Sequence, residues 1–161
     1  MPFVHLHLHS EFSIRDSLIR IPRLTSRLAD EKMPAVAVTD WMNLFAVIKF
    51  YRKARAAGIK PIIGAEVLVK NGSETGSCLL LCLNQEGYRH LIELVSLAYT
   101  ERSGDSIFVP WDALCEKSEG LIAILTADSS LGQAIDAGKT ERSHEIAAEW
   151  TSVFPDRLYL S

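Results

Sequence analysis

Three of the five histidines in the chain, His5, His7 and His9, lie within five positions and alternate with leucine. A spacing of two is the period of a β-strand, so a strand here would place all three imidazoles on one face. Neighbouring positions on that face are about 6.5 Å apart and the outer two about 13 Å, so only two can share one metal ion. Because chemistry in β/α folds gathers at the C-terminal ends of strands, His7 and His9 are the candidate ligand pair.

Two other interpretations of this stretch remain open. Histidines on a strand are often structural, and an alternating row could also form an exposed edge. A purification tag would be contiguous and would lack the hydrophobic alternation seen here. Fixed histidine spacing suits transition metals, and this favours a site of metal-binding ancestry.

Acidic and thiol groups occur at later strands. Asp40 follows a short apolar strand, where a helix or turn cap is an equal alternative. Glu66 lies between apolar neighbours in another strand, and a carboxylate buried there needs a partner such as a metal ion or the histidines. Cys78 begins the next strand. Such positions can converge at the mouth of a barrel.

Hydrophobic periodicity predicts alternating strands and helices, which is typical of a mainly parallel α/β sheet or barrel. We expect Asn43 to cap the second helix and residues 101–105 to form a polar surface loop. Predicted strands cover residues 3–8, 35–39, 61–69, 78–83, 121–125 and 158–160. Predicted helices cover residues 22–30, 43–57, 87–100, 131–137 and 141–154.

Composition limits the function classes. The chain has 161 residues, 48% hydrophobic and 23% charged, and a net charge of −3. These values predict one globular domain over residues 1–161, and they argue against a free-standing nucleic-acid binder, which would be basic. No apolar run is long enough for a membrane span, and no signal peptide is visible. Three cysteines outside any CxxC motif predict reduced thiols and a cytoplasmic location.

Several motifs occur in a fixed order that resembles a known family. They are HLHSEFS (7–13), AVTD (37–40), NL (43–44), KFY (49–51), AGIKPIIGAE (57–66), the segment 84–91 and EGLI (119–122). Together they resemble the N-terminal PHP (polymerase and histidinol phosphatase) domain of bacterial DNA polymerase III alpha subunits. The resemblance implies a distorted (β/α)7 TIM-like barrel, here expected to be truncated before its last strands, and no polymerase domain.

The resemblance also implies a set of metal ligands. Active family members hold three metal ions and hydrolyse phosphoesters, in some polymerases as a 3′–5′ exonuclease. His7, His9 and Glu66 match ligand positions of the family. Trp41 stands where the family has histidine, Cys78 where it has another histidine, and Ala127 where it has cysteine. An indole cannot bind a metal ion, so the resemblance predicts a vestigial site.

Three functions follow as alternatives. The favoured one is a catalytically inactive PHP domain of a replicative DNA polymerase, kept for stability and for docking the proofreading exonuclease subunit. The second is an active metal-dependent phosphoesterase or 3′–5′ exonuclease, and the third is a stand-alone phosphatase. Whether the chain is an enzyme on its own stays open at this point.

Cofactors and partners follow from the same resemblance. We expect no tightly bound cofactor, Zn²⁺ or Mn²⁺ if the site is still active, and Mg²⁺ for the parent polymerase. Expected partners are the remaining polymerase domains, the exonuclease subunit and, through the holoenzyme, DNA, with no membrane. A chain ending in its sixth strand would leave open sheet edges, which predicts self-association.

Overall fold

The computed structural model describes residues 3–14, 16–100 and 106–161, so the predicted loop at 101–105 lies outside the described residues. Its contacts divide the chain into two compact units, Met1–Ala65 and Glu66–Ser161. The boundary falls inside one continuous strand, β2. The helices are α1 (Ile21–Asp30), α2 (Val47–Ala56), α3 (Gln85–Thr100), α4 (Trp111–Glu116), α5 (Ser130–Asp136) and α6 (Thr140–Val153), and the strands are β1 (Ala35–Trp41), β2 (Lys60–Asn71), β3 (Glu74–Cys82), β4 (Val109–Pro110), β5 (Leu121–Leu125) and β6 (Leu158–Leu160).

The first unit is built around β1, which is buried along most of its length. Its core packs α1 and α2 against β1 through side chains such as Ile21, Val36 and Phe50, each fully buried. Burial on both faces explains why β1 reads as a continuous apolar run. The α/β class predicted from this alternation is confirmed.

The predicted first strand, residues 3–8, is not a strand of the described sheet. The segment is extended and lies beside β1, where the backbone N–H of Ala37 donates to the carbonyl of His5 and that of Thr39 to the carbonyl of Leu8. The side-chain hydroxyl of Thr39 accepts the backbone N–H of Leu8. A side chain therefore takes a position that a regular ladder would give to backbone. The prediction of extended structure is right, and that of a regular strand is wrong.

In the second unit, β2 and β3 form a hairpin across Gly72 and Ser73, and the strand order continues through β5 to β6. Strand β3 pairs antiparallel with β5, β5 parallel with β6, and β2 parallel with the short β4. The expectation of a mainly parallel arrangement is therefore wrong for β3. Gly72 has φ +58°, which the tight hairpin turn requires.

A close backbone approach in the second unit gives a first testable prediction. A Cβ added at Gly87 would lie 1.8 Å from the carbonyl oxygen of Gly120, so helix α3 can pack there only with glycine. Gly87→Ala should lower the free energy of unfolding by about 1–3 kcal/mol, the usual cost of overpacking. Urea denaturation followed by circular dichroism measures it.

Gly72→Ala is the matched control, because a Cβ there meets nothing within 4 Å and the cost arises only from the positive φ. That strain is worth about 1–2 kcal/mol. A loss for Gly87→Ala below about 0.5 kcal/mol, the level of an ordinary surface change, would contradict the close packing of α3 against Gly120.

Candidate metal centre

The predicted ligands come together. One side-chain donor atom from each of His7, His9 and Glu66 lies within 4.8 Å of the others. The rings of His7 and His9 have centroids 5.2 Å apart in an edge-to-face arrangement. His7 is exposed, His9 half-buried and Glu66 only 6% exposed. Glu66 lies in the middle of β2.

This geometry fits one metal ion. Zn²⁺ binds imidazole nitrogen and carboxylate oxygen at about 2.0–2.2 Å, so two ligands of one ion are at most about 4.4 Å apart. The three donor atoms lie within 4.8 Å of one another, close to that span. Two imidazoles and a carboxylate form a familiar zinc ligand set. Within the described residues, this is the one group of three or more His, Cys, Asp or Glu side chains arranged to hold a metal ion.

Asp40, the other acidic candidate, has a different role in the structure. It is 1% exposed and its carboxylate accepts three short hydrogen bonds: from the backbone N–H of Ser10 at 2.6 Å and from the hydroxyls of Ser10 and Ser13 at 2.7 Å each. The Ser13 hydroxyl also accepts the backbone N–H of Trp41. We call Asp40, Ser10 and Ser13 the aspartate–serine cluster. It fastens the segment after the histidines to the end of β1.

Residues with positive φ lie just after two parts of this cluster. Ile14 follows Ser13 at φ +60° and Met42 follows Trp41 at φ +50°. Positive φ is rare for side-chain-bearing residues, above all for β-branched isoleucine, and persists only where surrounding contacts impose it. The three hydrogen bonds to Asp40 are contacts of that kind.

The residues at the departures from the family pattern are placed as follows. Trp41 is half-buried, and β1 ends at this residue. Ala127 is exposed in the loop after β5. Cys78 is fully buried in β3, where burial and then the nearby charge of Glu66 raise the pKa of its thiol well above the ordinary value. Without a metal ion, Cys78 is therefore a neutral thiol.

Asn43 does not cap a helix that begins beside it. Helix α2 begins at Val47, and its N-terminal neighbour Ala46 provides no side-chain cap. Asn43 instead accepts the backbone N–H of Phe45 and donates to the carbonyls of Phe12 and Trp41. It is a loop-fixing residue next to the aspartate–serine cluster.

Sequence reasoning missed Ser10 and Ser13 as partners of Asp40. The available signal was the pair of serines three residues apart, directly after the histidine repeat. Side-chain hydroxyls at such spacing commonly bond near their own backbone, which the Ser10 hydroxyl also does with the N–H of Phe12. Nothing in that local pattern indicates a carboxylate 30 residues away.

The chain belongs to the PHP domain family: the model of that family, described as "PHP domain", matches residues 5–161. It is 42% identical over 98% of its length to DNA polymerase III subunit alpha of Pseudomonas aeruginosa, and 36% identical over 98% to that of Escherichia coli K12. Each alignment covers 14% of the relative, so the chain spans about a seventh of these proteins. The predicted family is confirmed, and with it the TIM-like fold class.

Among solved structures, an amidohydrolase from Chromobacterium violaceum is similar at a TM-score of 0.48 and 22% identity, covering 59% of this chain and 32% of that one. A putative metal-dependent phosphoesterase from Bifidobacterium adolescentis has a TM-score of 0.46 at 13% identity, covering 62% of this chain and 33% of that one.

In the part of the chain that the structure describes, no helix combines the length and apolar character needed to cross a bilayer.

The thiols give a second testable prediction. Burial raises the pKa of Cys82 to about 12. The thiolate is the reactive form, and its share at pH 8 falls about tenfold for each pKa unit. Alkylation of Cys82 by iodoacetamide at pH 8 should therefore be at least ~100-fold slower in the folded chain than in urea, measured by mass spectrometry of the peptides.

The free energy of unfolding should fall as the pH rises above the ordinary pKa of the Cys82 thiol. A raised thiol pKa favours the neutral form in the folded state, so the contribution is present below the ordinary pKa of 9 and is lost as pH rises from 9 towards 12. Cys82→Ala should remove the thiol's contribution to the fall in stability between pH 9 and 12. Equal alkylation rates in folded and unfolded chains would contradict the raised pKa of the half-buried Cys82 thiol.

Proposed function

We propose that the chain is a PHP module of a replicative DNA polymerase III alpha subunit with a degenerate hydrolytic site. The site would hold at most one metal ion, weakly, through His7, His9 and Glu66, and would not hydrolyse phosphoesters. The proposal rests on Asp40, whose carboxylate accepts three hydrogen bonds from serine donors. A multi-metal cluster needs anionic ligands to balance its charge, and this carboxylate already accepts three hydrogen bonds from protein donors.

Trp41 supports the same proposal. It directly follows Asp40 where the family motif has an imidazole, and an indole N–H only donates a hydrogen bond. A bound ion at the remaining ligands would act as a Lewis acid towards a phosphoryl oxygen. The three remaining ligands would hold and orient one ion. They would not hold a second ion to stabilise the leaving group.

A phosphoesterase assay tests the proposal. The 161-residue chain is incubated with p-nitrophenyl phosphate and with a 3′-labelled DNA strand, in Mn²⁺ or Zn²⁺. The expected result is no metal-dependent release of product above that of a His9→Ala control. Release that requires Mn²⁺ or Zn²⁺ and disappears in His9→Ala would favour the second candidate function, an active phosphoesterase or 3′–5′ exonuclease, which the convergence of three ligand atoms supports.

The partners follow from the relatives. Because the polymerase III alpha relatives are about seven times as long as the aligned segment, we propose that further polymerase domains accompany this module and that polymerisation, with its Mg²⁺ ions, belongs to them. Docking of the proofreading exonuclease subunit and a cytoplasmic location are part of the same proposal. Co-purification of the exonuclease subunit with the 161-residue chain tests the docking. The single-domain organisation also stays a prediction.

A further inference from the structure

Positive charge is concentrated in the first of the two compact units. Residues 1–65 contain 10 Lys and Arg against 5 Asp and Glu, and residues 66–161 contain 7 against 15. The two net charges are therefore +5 and −8, which together give the −3 of the whole chain. A strongly basic module within an acidic chain indicates a polyanionic partner for that module.

Much of this charge lies on two neighbouring helices. Helices α1 and α2 pack in the same core cluster of the first unit. At their N-terminal ends Glu11 bridges them: its carboxylate is 3.9 Å from Nε of Arg20 and 2.8 Å from Nζ of Lys49. The bases that begin the two helical rows are therefore held close to each other.

Each helix continues its row of bases away from Glu11. On α1, Arg23 and Arg27 lie one and two turns beyond Arg20, and on α2, Arg52 and Lys53 lie one turn beyond Lys49. All of these side chains are exposed. At a rise of 1.5 Å per residue, successive bases in a row are about 5 Å apart along the helix axis. We call the resulting surface the basic face: Arg20, Arg23, Arg27, Lys49, Arg52 and Lys53.

The acidic groups near the basic face do not neutralise it. Glu11 pairs with Arg20 and Lys49, and Glu31 pairs with Arg27 on an exposed turn. Exposed pairs of this kind contribute about 0–1 kcal/mol each, so an incoming anion can compete for these bases. Among the residues that the structure describes, Arg23, Arg52 and Lys53 have no carboxylate within ion-pair distance.

We propose that the basic face binds the phosphate backbone of duplex DNA, independently of base sequence. Duplex DNA carries one negative charge per ~1.7 Å of axis. Two rows of basic side chains, spaced about 5 Å along each helix, can therefore meet several phosphates at once. Four of the six groups are guanidinium ions, which bind phosphate oxygens in bidentate fashion. The inference goes beyond the proposed function, because it involves other residues than the metal centre and needs no bound metal.

Fluorescence anisotropy of a labelled blunt DNA duplex tests the proposal. The 161-residue chain is titrated at several salt concentrations in EDTA, so that the metal centre cannot contribute. The logarithm of the affinity should fall linearly with the logarithm of salt, with a slope of about −0.9 per phosphate contact. For three contacts, doubling the salt would weaken binding about sixfold.

Charge reversal locates the surface. The Arg23→Glu/Arg52→Glu variant should bind at least about tenfold more weakly at low salt, and its salt slope should be smaller by about 2, one for each lost phosphate contact. The matched control is Lys70→Glu/Lys139→Glu, which changes the charge by the same amount at two exposed lysines of the second unit. The control should keep the native salt slope, and circular dichroism checks that both variants fold.

Three results would overturn the proposal. The basic-face variant could bind as the native chain does, or the control could weaken binding and reduce the slope equally, which would mean that net charge alone matters. Polyaspartate could displace the duplex at equal charge concentration, which would assign the face to an acidic protein partner. Failure here leaves the phosphoesterase assay unaffected, because that assay depends on His9 and this one excludes metal.

Discussion

Asp40→Ala is expected to lower the free energy of unfolding by about 3–5 kcal/mol. The substitution leaves three buried donors without an acceptor, namely the backbone N–H and hydroxyl of Ser10 and the hydroxyl of Ser13. Each stranded donor costs about 1–3 kcal/mol, and the three costs are not additive because the segment can relax. Urea denaturation of the 161-residue chain, followed by far-ultraviolet circular dichroism, measures the change.

Two controls separate the hydrogen bonds from the charge and the volume. Asp40→Asn keeps one carbonyl acceptor and the side-chain size, and should lose less than Asp40→Ala. Ser13→Ala removes one donor together with the acceptor for the backbone N–H of Trp41, and should cost about 1–3 kcal/mol. A loss below about 1 kcal/mol for Asp40→Ala, the level of an ordinary surface change, would show that the aspartate–serine cluster does not form in solution.

Trp150→Ala should destabilise the second unit by about 3–5 kcal/mol, the usual range for emptying a buried aromatic site. The indole is 3% exposed, meets Trp111 edge to face at 4.9 Å between centroids, and stacks on Phe154 at 5.9 Å. The guanidinium of Arg157 lies over the other aromatic partner, Phe154. Near-ultraviolet circular dichroism during urea denaturation follows the loss directly.

Trp150→Phe is the matched variant, because it keeps an aromatic ring in the stack and removes only part of the volume. Its loss should be clearly smaller than that of Trp150→Ala. Equal losses for the two variants would mean that the ring contacts do not contribute, and a loss near zero for both would place the side chain outside the core.

Local patterns were sufficient to single out the candidate ligands and strand β1. The His7 and His9 spacing and the carboxylate of Glu66 in an apolar strand predicted three side chains whose donor atoms the structure brings within 4.8 Å. Their role as metal ligands stays a prediction. The buried strand β1 was likewise predictable, because a run that is apolar on both faces has few alternatives.

Other features depend on contacts that sequence spacing does not contain. Residues 3–8 have the alternation of a strand, but the hydroxyl of Thr39 replaces a ladder position, so the segment stays an irregular extended chain. Asp40 reads as a cap or ligand until Ser10 folds back onto it. Strand β4 is two residues long and its pairing with β2 crosses some 40 positions, too far for a local pattern to indicate.

The charge distribution shows a further limit. A net charge of −3 argued against nucleic-acid binding, yet the sum conceals a +5 unit and a −8 unit whose boundary lies inside strand β2. The boundary follows from contacts, so the contrast between the two parts emerges only from the structure.

Counting metal ions per chain shows whether the metal centre is degenerate. The 161-residue chain is equilibrated with Zn²⁺ and, separately, Mn²⁺, passed through a desalting column and analysed by mass spectrometry of the elements, beside a His9→Ala control. The degenerate site predicts at most one ion per chain, reduced to background in His9→Ala. Two or more retained ions per native chain that are lost in His9→Ala would contradict a degenerate site and would show that an intact hydrolytic cluster forms.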